Sequence, residues 1–334
     1  MKRILYLLGV FLILSIIGCG KPMSKGADDE LIILAAIEDA DAARKILTKI
    51  FSDTLYTPSP EPYYKAKIIK PDDIKIMQHH PNLIAVSLNN DLTNLGTRLV
   101  KQILPKDSYE NSKENNPFIL TVDPYAKLQT MLVINGKSTE TILAAIDKQG
   151  NKIYNQFEQQ FVERQSRFLF KRARKEELEK DVLKKHGFSL QIPWGFSVVQ
   201  DSVETSVYWI GREEPFRWLV FHWEEGMVIK DIHDAETFSR DFPKRIFEHI
   251  QYTDYKYKIQ PTMFNDWSGW RVTGLWESLE ESQGGPFIAY TFYDGITDRT
   301  YYIHALIYNP GADKYILLRQ LDIIAHTFYV ENAS

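Results

Sequence analysis

The chain has 334 residues, with 40 basic and 44 acidic side chains and a net charge of −4 at pH 7. A mildly acidic chain lacks the basic surface that nucleic-acid binding requires, so nucleic acid is excluded as an expected partner. The length exceeds the usual size of one domain, and a hydrophobic content of 44% is ordinary for a globular protein. We therefore expect two folded domains.

The chain opens with the pattern of a secretory signal peptide. Lys2 and Arg3 precede an uncharged apolar run from Ile4 to Ile17. This run is shorter than the roughly 20 apolar residues that a membrane-spanning helix needs. Residues 1–18 are therefore predicted to be an export signal rather than a permanent membrane helix.

Residues 16–19, with the sequence Ile-Ile-Gly-Cys, resemble the lipobox of bacterial lipoproteins, in which the cysteine takes the lipid. Cys19 is the single cysteine of the chain, so it cannot form an internal disulfide. The resemblance implies cleavage before Cys19 and acyl chains such as palmitate on the new terminus, which would hold the protein to a membrane. Gly20, which stands where enteric lipoproteins of the inner membrane carry Asp, favours the outer membrane of the cell envelope. The alternative is an incidental cysteine in an ordinary secretory signal.

Residues 19–30 are mostly small, polar or charged, and their composition predicts a flexible tether. Residues 31–187 are predicted to form an N-terminal α/β domain that ends in a long helix. Its predicted strands are Leu31–Ala36, Tyr64–Ile69, Leu83–Leu88, Phe118–Asp123 and Leu128–Ile134; its predicted helices are Asp39–Phe51, Leu92–Leu104 and a long one from about Ser138 to His186, with Gly150 as a candidate break; Lys106–Asn116 is predicted to be a loop.

Residues 188–334 are predicted to form a second domain, because the texture changes to short strands rich in aromatic residues. Its predicted strands are Ser189–Ile192, Phe196–Gln200, Val207–Gly211, Trp218–Trp223, Tyr255–Met263, Trp270–Glu277, Pro286–Phe292 and Thr300–Tyr308; its predicted helices are Ala235–Ile250, which Pro243 should break or kink, and Lys314–Phe328.

This order of elements predicts an antiparallel sheet with helices packed on it. The opening residues Ile192–Phe196 and the last helix, which ends at His326–Phe328, resemble the PsbP-like α/β/α sandwich. The predicted fold class is α+β, with two α/β sandwich-like domains, largely antiparallel sheets and a PsbP-like second domain.

The sequence carries none of the common motifs for hydrolases, zinc proteases, phosphate-binding loops or dinucleotide binding. His79 and His80 are adjacent and would point apart in an extended loop. His222 lies between two aromatic residues of a predicted strand, so alternation places it towards solvent. We therefore predict no catalytic residue, no metal and no cofactor, which favours a protein that is not an enzyme.

Several motifs of the second half resemble the bacterial lipoproteins catalogued as domain of unknown function 4837. They are Arg271–Glu277, Gly284–Phe287, Asp294, Tyr308–Pro310 and Leu318–Leu321, with Glu163 to Arg167 and Phe188–Pro193 fitting the same pattern. The resemblance implies a secreted, lipid-anchored envelope protein without an assigned activity, over nearly the whole mature chain. We single out seven landmark residues, which serve either ligand binding or the fold. They are Arg167, Trp276, Glu277, Gly284, Gly285, Asp294 and Arg319.

Three functions are compatible with these features. The first is a non-enzymatic envelope protein that binds an unknown protein or ligand while its N-terminal lipid holds it to the membrane. The second is a surface binder of glycans or other ligands that stack on Trp267, Trp270 and Trp276. The third is a hydrolase that acts through carboxylates such as Glu277 and Asp294.

Overall fold

The structure is a computed structural model that describes residues 20–57, 59–89, 91–171 and 173–331. The predicted export signal and Cys19 lie outside these described residues. The chain divides into two compact units: unit 1 contains the described residues up to Phe51 together with Tyr64–Phe161, and unit 2 contains Ser52–Tyr63 and the chain from Val162 onwards. The division therefore falls at residue 161, inside a helix, whereas the sequence suggested a boundary at residue 187.

The first half of the chain alternates between strands and helices. Its elements are β1 (Glu30–Leu34), α1 (Ala40–Ile50), β2 (Thr54–Leu55), β3 (Glu61–Pro62), β4 (Lys65–Ile69), α2 (Ile74–Met77), β5 (Asn82–Ser87), α3 (Leu95–Ile103), α4 (Lys106–Glu114), β6 (Phe118–Val122), β7 (Thr130–Asn135) and α5 (Thr139–Phe170). Helices between consecutive strands are the connections that parallel strand pairing requires.

The sheet of unit 1 has five strands in the order β4-β1-β5-β7-β6. The first three of these neighbour pairs are parallel, and only β6 runs antiparallel to β7. The expectation of largely antiparallel sheets is therefore wrong for this unit. The continuous apolar runs of β1 and β5, which are buried on both faces, are typical of parallel strands covered by helices on each side.

The predicted loop at Lys106–Asn116 is wrong, because most of it forms α4. Its polar composition hid a face that is nevertheless buried, with Tyr109 and Ser112 against the sheet. Asn135 at the end of β7 donates from Nδ2 to the carbonyl oxygen of Tyr109 at 2.9 Å and to Ser112 Oγ at 2.6 Å. These hydrogen bonds hold a helix that its own composition would not predict.

Residues 20–25 depart from the predicted flexible tether. The backbone N–H of Ser24 donates to the carbonyl oxygen of Lys127 at 3.0 Å, and the N–H of Lys127 donates to the carbonyl oxygen of Pro22 at 2.8 Å. Small and polar residues are compatible with flexibility, but here their backbone groups find partners in the loops of unit 1. This part of the predicted tether is a docked segment of the domain.

The second half of the chain continues with α6 and a series of antiparallel strands. Its elements are α6 (Glu176–His186), β8 (Phe188–Ser189), β9 (Ser197–Ser202), β10 (Val207–Arg212), β11 (Phe216–Glu225), α7 (Ile232–Ile246), β12 (Ile250–Tyr252), β13 (Lys258–Phe264), β14 (Trp267–Ser278), β15 (Gly284–Asp294), β16 (Arg299–Tyr308), α8 (Tyr315–Ala325) and β17 (Tyr329–Val330). Eight of the strands form one sheet in the order β12-β14-β15-β16-β11-β10-β9, with β13 also paired to β14.

All pairings within this eight-stranded sheet are antiparallel, which confirms the sequence prediction for the second domain. One face packs against α7 through a core that includes Phe242 and Tyr302. The other face packs against α8 and the residues after it, where Phe328 stacks near Phe221. Helices therefore cover both faces of the sheet, in a mixed α+β arrangement.

Three local predictions are wrong. Gly150 does not break α5, which continues to Phe170. Pro243 lies inside α7, but the helix ends three residues later, at Ile246, so few backbone hydrogen bonds are lost. His222 is buried rather than exposed, because Phe238 of α7 covers its ring at a centroid distance of 6.1 Å.

Candidate functional site at the edge of the second sheet

The regular pairing along the edge of β14 is interrupted over part of its length. β12 pairs with one end of β14 and β13 pairs with the other end; between them, the N–H of Thr253 donates to the carbonyl oxygen of Leu275 at 2.9 Å, and regular pairing resumes at Lys258. Gly274 lies on β14 opposite this gap, and a Cβ there would come within 2.9 Å of the Phe287 ring. The Phe287 ring thus occupies the space that a side chain at Gly274 would need, and two cavities along this edge form the groove described below.

The segment Ser52–Tyr63, which contains β2 and β3, borders this groove; we call it the 52–63 hairpin. Glu61 Oε2 accepts hydrogen bonds from the backbone N–H groups of Lys314 at 2.6 Å and Tyr315 at 2.9 Å. A carboxylate at the first turn satisfies amides that an α-helix leaves free and suits the helix dipole of α8. Tyr63 stacks on Tyr315 with ring centroids 4.3 Å apart. The hairpin is thereby fixed to unit 2.

The first cavity of the groove, about 860 Å³, is lined by four of the predicted landmarks, Trp276, Glu277, Gly284 and Gly285. Phe287 pairs with Leu306, so the next position places Pro286 opposite Ile307. Proline has no N–H for the Ile307 carbonyl oxygen, and Trp276 Nε1 donates to that oxygen instead, at 3.1 Å. A Cβ at Gly285 would lie 2.1 Å from the same oxygen. Trp276 and Gly285 thus hold the strands together beneath the cavity.

Glu277 and Asp294, the carboxylates of the hydrolase hypothesis, lie at opposite ends of the paired strands β14 and β15. Glu277 is exposed and accepts a hydrogen bond from Gln251 Nε2 at 2.7 Å. Asp294 accepts from Trp267 Nε1 at 3.0 Å and from Thr297 N at 2.8 Å. Trp267 and Glu277 are the start and near-end of β14, so about 33 Å of strand separates the two carboxylates. They cannot act on one substrate bond.

Hydrogen bonds from Trp267 and Thr297 account for the burial of the Asp294 carboxylate without a bound ligand. Burial would raise the pKa of Asp294, but the hydrogen bonds from Thr297 and Trp267 hold it below its ordinary value. This carboxylate therefore fixes the turn between β15 and β16. Of the other two predicted landmarks, Arg319 on α8 donates to the hydroxyl of Tyr315 at 2.7 Å, and Arg167 is half-buried near the end of α5. Neither arginine lines the first cavity.

The second cavity of the groove, about 560 Å³, has a basic and aromatic lining. Its cations are Lys256, Lys258 and Arg271, and its tyrosines are Tyr56, Tyr63 and Tyr257. Asp53 is the one acidic residue of the lining, so the side chains around the cavity carry a net charge of about +2 at neutral pH. Lys256 Nζ lies 4.0 Å from the centre of the Tyr56 ring, which is a cation–π contact.

A polar network lies behind Arg271 on the face covered by α8. Tyr290 pairs with Arg271 across the strands and donates from its hydroxyl to Asp322 Oδ1 at 2.7 Å. Burial opposes the charge of Arg271, but Tyr290 and Asp322 raise its pKa above the ordinary value. Asp322 also lies 3.3 Å from His326 Nδ1 and raises the pKa of that imidazole, against the effect of burial.

Sequence reasoning missed this network and the basic lining of the second cavity. Asp322 and His326 are four residues apart on the last helix, and this spacing places two side chains on one helix face. That signal was present in the sequence. The pairing of Arg271 with Tyr290 depends on strand register, which no short motif specifies.

The tryptophans of the glycan hypothesis do not form one exposed stacking surface. Trp276 is 4% exposed, and the ring of Trp267 stacks on Phe292 at a centroid distance of 4.8 Å. Trp270 is half-buried and lines a separate cavity of about 830 Å³ together with Trp267. Packing within the protein therefore occupies much of the aromatic surface that the hypothesis needs.

The strand order of unit 1 reverses between β1 and β5, and open α/β sheets often bind ligands at the carboxyl ends of such strands. The polar groups there bond to one another. Asn94 Nδ2 donates to Glu38 Oε1 and to Asp39 Oδ2, both at 2.9 Å, and Asn94 Oδ1 accepts from Thr97 N at 2.9 Å. Because these side chains already pair with one another, the candidate site lies in the second sheet instead.

Within the part of the chain that the structure describes, no group of three or more His, Cys, Asp or Glu side chains could hold a metal ion. No helix in the same residues is both long and apolar enough to cross a bilayer. Asp231, near His233, caps α7 by accepting from the N–H of His233 at 2.9 Å.

Two family models match separate parts of the chain, and neither is described by an activity. Residues 175–327 match the family described as domain of unknown function (DUF4837), which confirms the resemblance to that family in this part of the chain. Residues 24–170 match a different family, described as domain of unknown function (DUF8532). The expectation that the first family covers nearly the whole chain, including Glu163 to Arg167, is therefore wrong. No curated protein matches the chain.

Three solved structures each resemble part of the chain. The Ran-binding protein Mog1p of Saccharomyces cerevisiae is 12% identical, over 43% of this chain and 90% of its own, with a TM-score of 0.33. LpqN of Mycobacterium tuberculosis, involved in cell envelope biogenesis, is 11% identical over 43% and 82%, with a TM-score of 0.30. A protein of Bacteroides thetaiotaomicron is 9% identical over 44% and 46%, also with a TM-score of 0.30. Scores this low transfer no function, and the PsbP-like architecture stays a prediction.

Proposed function

We propose that this protein is a lipid-anchored component of the bacterial cell envelope that binds an anionic ligand in the second cavity. The single observation that carries ligand binding is the lining of that cavity, in which three cations and three tyrosines face about 560 Å³. The lipobox-like residues before Gly20 support the anchor.

The cavity suits an anion with a flat or sugar-like body. The guanidinium of Arg271 offers planar, paired donors for a carboxylate or phosphate, and Lys256 and Lys258 add mobile positive charge. Tyrosine rings give contact area for the rest of the ligand and cost little conformational entropy on binding. The positive charge of Arg271 is favoured before any ligand arrives, because Tyr290 and Asp322 raise the pKa of its guanidinium.

Calorimetric titration tests the ligand class. We expect an oligosaccharide that carries uronic acids or a sugar phosphate to bind, with affinity that falls as salt is added, since exposed charges are screened. The double variant Lys256→Gln/Lys258→Gln should weaken binding by roughly tenfold, about 1.4 kcal/mol. The matched variant Lys184→Gln/Lys244→Gln removes the same charge from exposed positions outside the cavity and should bind normally.

The outcome also separates the two kinds of anion. Binding of the uronic acids alone indicates a carboxylate ligand, and binding of the sugar phosphate alone indicates a phosphate ligand. Equal binding by both double variants would mean that the second cavity is not the site.

The anchor is tested in cells. Metabolic labelling with a palmitate analogue should mark the wild-type protein and leave a Cys19→Ala variant unmarked. Alkaline extraction should then release the variant from membranes and retain the wild type. Retention of both proteins would contradict the lipid anchor, while binding of the ligand could still be measured in solution.

A further inference from the structure

The docked residues 20–25 leave very little free chain before the proposed lipid. Besides the two backbone bonds to Lys127, the N–H of Lys25 donates to the carbonyl oxygen of His79 at 2.8 Å. Ser24 Oγ donates to the carbonyl oxygen of Leu128 at 3.2 Å, and Lys21 Nζ donates to a backbone oxygen of unit 1 as well. Only Gly20 and Lys21 separate Cys19 from the first backbone bond, which Pro22 makes.

The loops that hold this segment lie at one edge of the parallel sheet. His79 precedes β5, and Lys127 and Leu128 precede β7. Because β1, β4, β5 and β7 are parallel, all four strands begin at this edge. We call it the amino edge of unit 1.

The reach of the chain then limits where the lipid can be. An extended chain spans at most about 3.6 Å per residue, so Cys19 lies within about 11 Å of Pro22. A free tether from Cys19 to Glu30 would instead allow about 40 Å. Docking of residues 20–25 therefore shortens the free chain between Cys19 and unit 1, which we call the short link.

We propose that the amino edge of unit 1 is a membrane-apposed surface that faces the lipid headgroups. This inference rests on the proposed lipidation of Cys19. With acyl chains in the bilayer, the short link holds the loops before β5 and β7 against the headgroups. The carboxyl edge of the same sheet, where β7 ends at Asn135, faces away from the membrane.

The chemistry of the amino edge suits anionic headgroups. Lys21, Lys25 and Lys127 are exposed, whereas Asp28 and Asp123 are half-buried. Lysines at a membrane surface are attracted to acidic lipids, and this attraction weakens as salt rises. Met23 is 39% exposed between these lysines in the chain and adds apolar contact.

Two lysines at opposite ends of β7 provide a matched test. Lys127 precedes the strand at the amino edge and Lys137 follows it at the carboxyl edge, and both are exposed. Lys127→Cys and Lys137→Cys make the same chemical change, and each new thiol is the only free one when Cys19 carries lipid. Each purified, lipidated variant is labelled with a fluorophore and reconstituted in phosphatidylethanolamine–phosphatidylglycerol vesicles that contain a headgroup-nitroxide lipid.

We expect the nitroxide to quench most of the fluorescence at position 127 and little at position 137. A Gly/Ser linker inserted between Gly20 and Lys21 keeps the docked contacts but lengthens the link, and it should abolish the difference. Equal quenching at the two positions in membrane-bound protein would overturn the membrane-apposed surface. Protein that fails to join the vesicles at all would instead contradict the lipid anchor of the proposed function.

Discussion

The two faces of the second sheet differ in whether a buried polar side chain has a charged hydrogen-bond partner. On the face under α7, His304 lies among aromatic rings such as Phe242 and Phe287, at centroid distances of 5.4 and 5.5 Å. Neither of its ring nitrogens has a hydrogen-bond partner among the described residues. On the face under α8, Tyr290 and Asp322 are hydrogen-bonded at 2.7 Å. The covering helix makes the difference, since α8 brings a carboxylate to the strands and α7 brings phenylalanines.

The same contrast appears in two histidines, whose pKa values are shifted in opposite directions. Burial lowers the pKa of His304 to about 3, because a charged imidazole would have no water and no counter-ion. His326 is also partly buried, but Asp322 raises its pKa above the ordinary value. The environment under α7 therefore disfavours protonation of His304, whereas the environment under α8 favours protonation of His326.

The largest expected effect is acid destabilisation through His304. The folded pKa of His304 lies below the unfolded value of 6.5. This histidine therefore leaves the free energy of unfolding unchanged above pH 6.5. As the pH falls from 6.5 towards 3 the free energy of unfolding decreases, because the unfolded chain binds the proton before the folded protein does. Near pH 4 the loss should reach about 3 kcal/mol. Chemical unfolding of the wild type and of His304→Phe between pH 7 and pH 4 measures it. Parallel curves for the two proteins would show that His304 does not cause the acid sensitivity.

The next effect concerns the carboxylate on the other face. Asp322→Asn should lower the free energy of unfolding by about 2 kcal/mol, because Arg271 loses its nearby negative charge and His326 loses its partner. Ser239→Ala on the face under α7 removes a neutral partner of Tyr302 and should cost about 1 kcal/mol. Urea unfolding at pH 7 compares them. An equal decrease in the free energy of unfolding for both variants would show that the charged partner on the α8 face contributes no more than the neutral partner on the α7 face.

A pair of tyrosines sharpens the same comparison with smaller changes. Tyr290→Phe removes a hydroxyl that donates to a carboxylate, and Tyr302→Phe removes one that lies 2.7 Å from Ser239 Oγ. Hydrogen bonds to charged groups contribute more than neutral ones, so we expect about 2 kcal/mol for Tyr290→Phe and about 1 kcal/mol for Tyr302→Phe. Thermal unfolding of the two variants should rank them in this order, and the reverse order would count against the role of Asp322.

The smallest effect is expected for His326, whose side chain is 38% exposed. Its folded pKa is raised, so its contribution is fully present below pH 6.5 and is lost as pH rises through the folded value. Solvent screening reduces the contribution to about 0.5 kcal/mol. His326→Gln should therefore lower stability at pH 5.5 and leave it nearly unchanged at pH 9. A loss that grows with pH would contradict the ion pair with Asp322.

The sequence predicted the strand and helix order of the second domain, because aromatic and β-branched runs alternate with clear turns. It failed at the first sheet, where β1 and β5 were found but their parallel pairing depends on which strands become neighbours. His222 was assigned to solvent because alternation cannot show that a second helix covers that face. The second cavity was missed for a similar reason, since Lys256, Arg271 and Tyr56 come from three separate segments that the fold brings together.

The 52–63 hairpin has a consequence for how the protein is made. Glu61 meets the backbone of Lys314 and Tyr315, which follow it by 253 and 254 residues. At ordinary synthesis rates that interval takes roughly 13–50 s, during which the hairpin has no α8 to cap. Contacts so distant in sequence also close slowly. The second cavity can therefore form only after the ribosome has delivered nearly the whole chain, and a protein truncated before residue 314 would leave the early segment without its late partner.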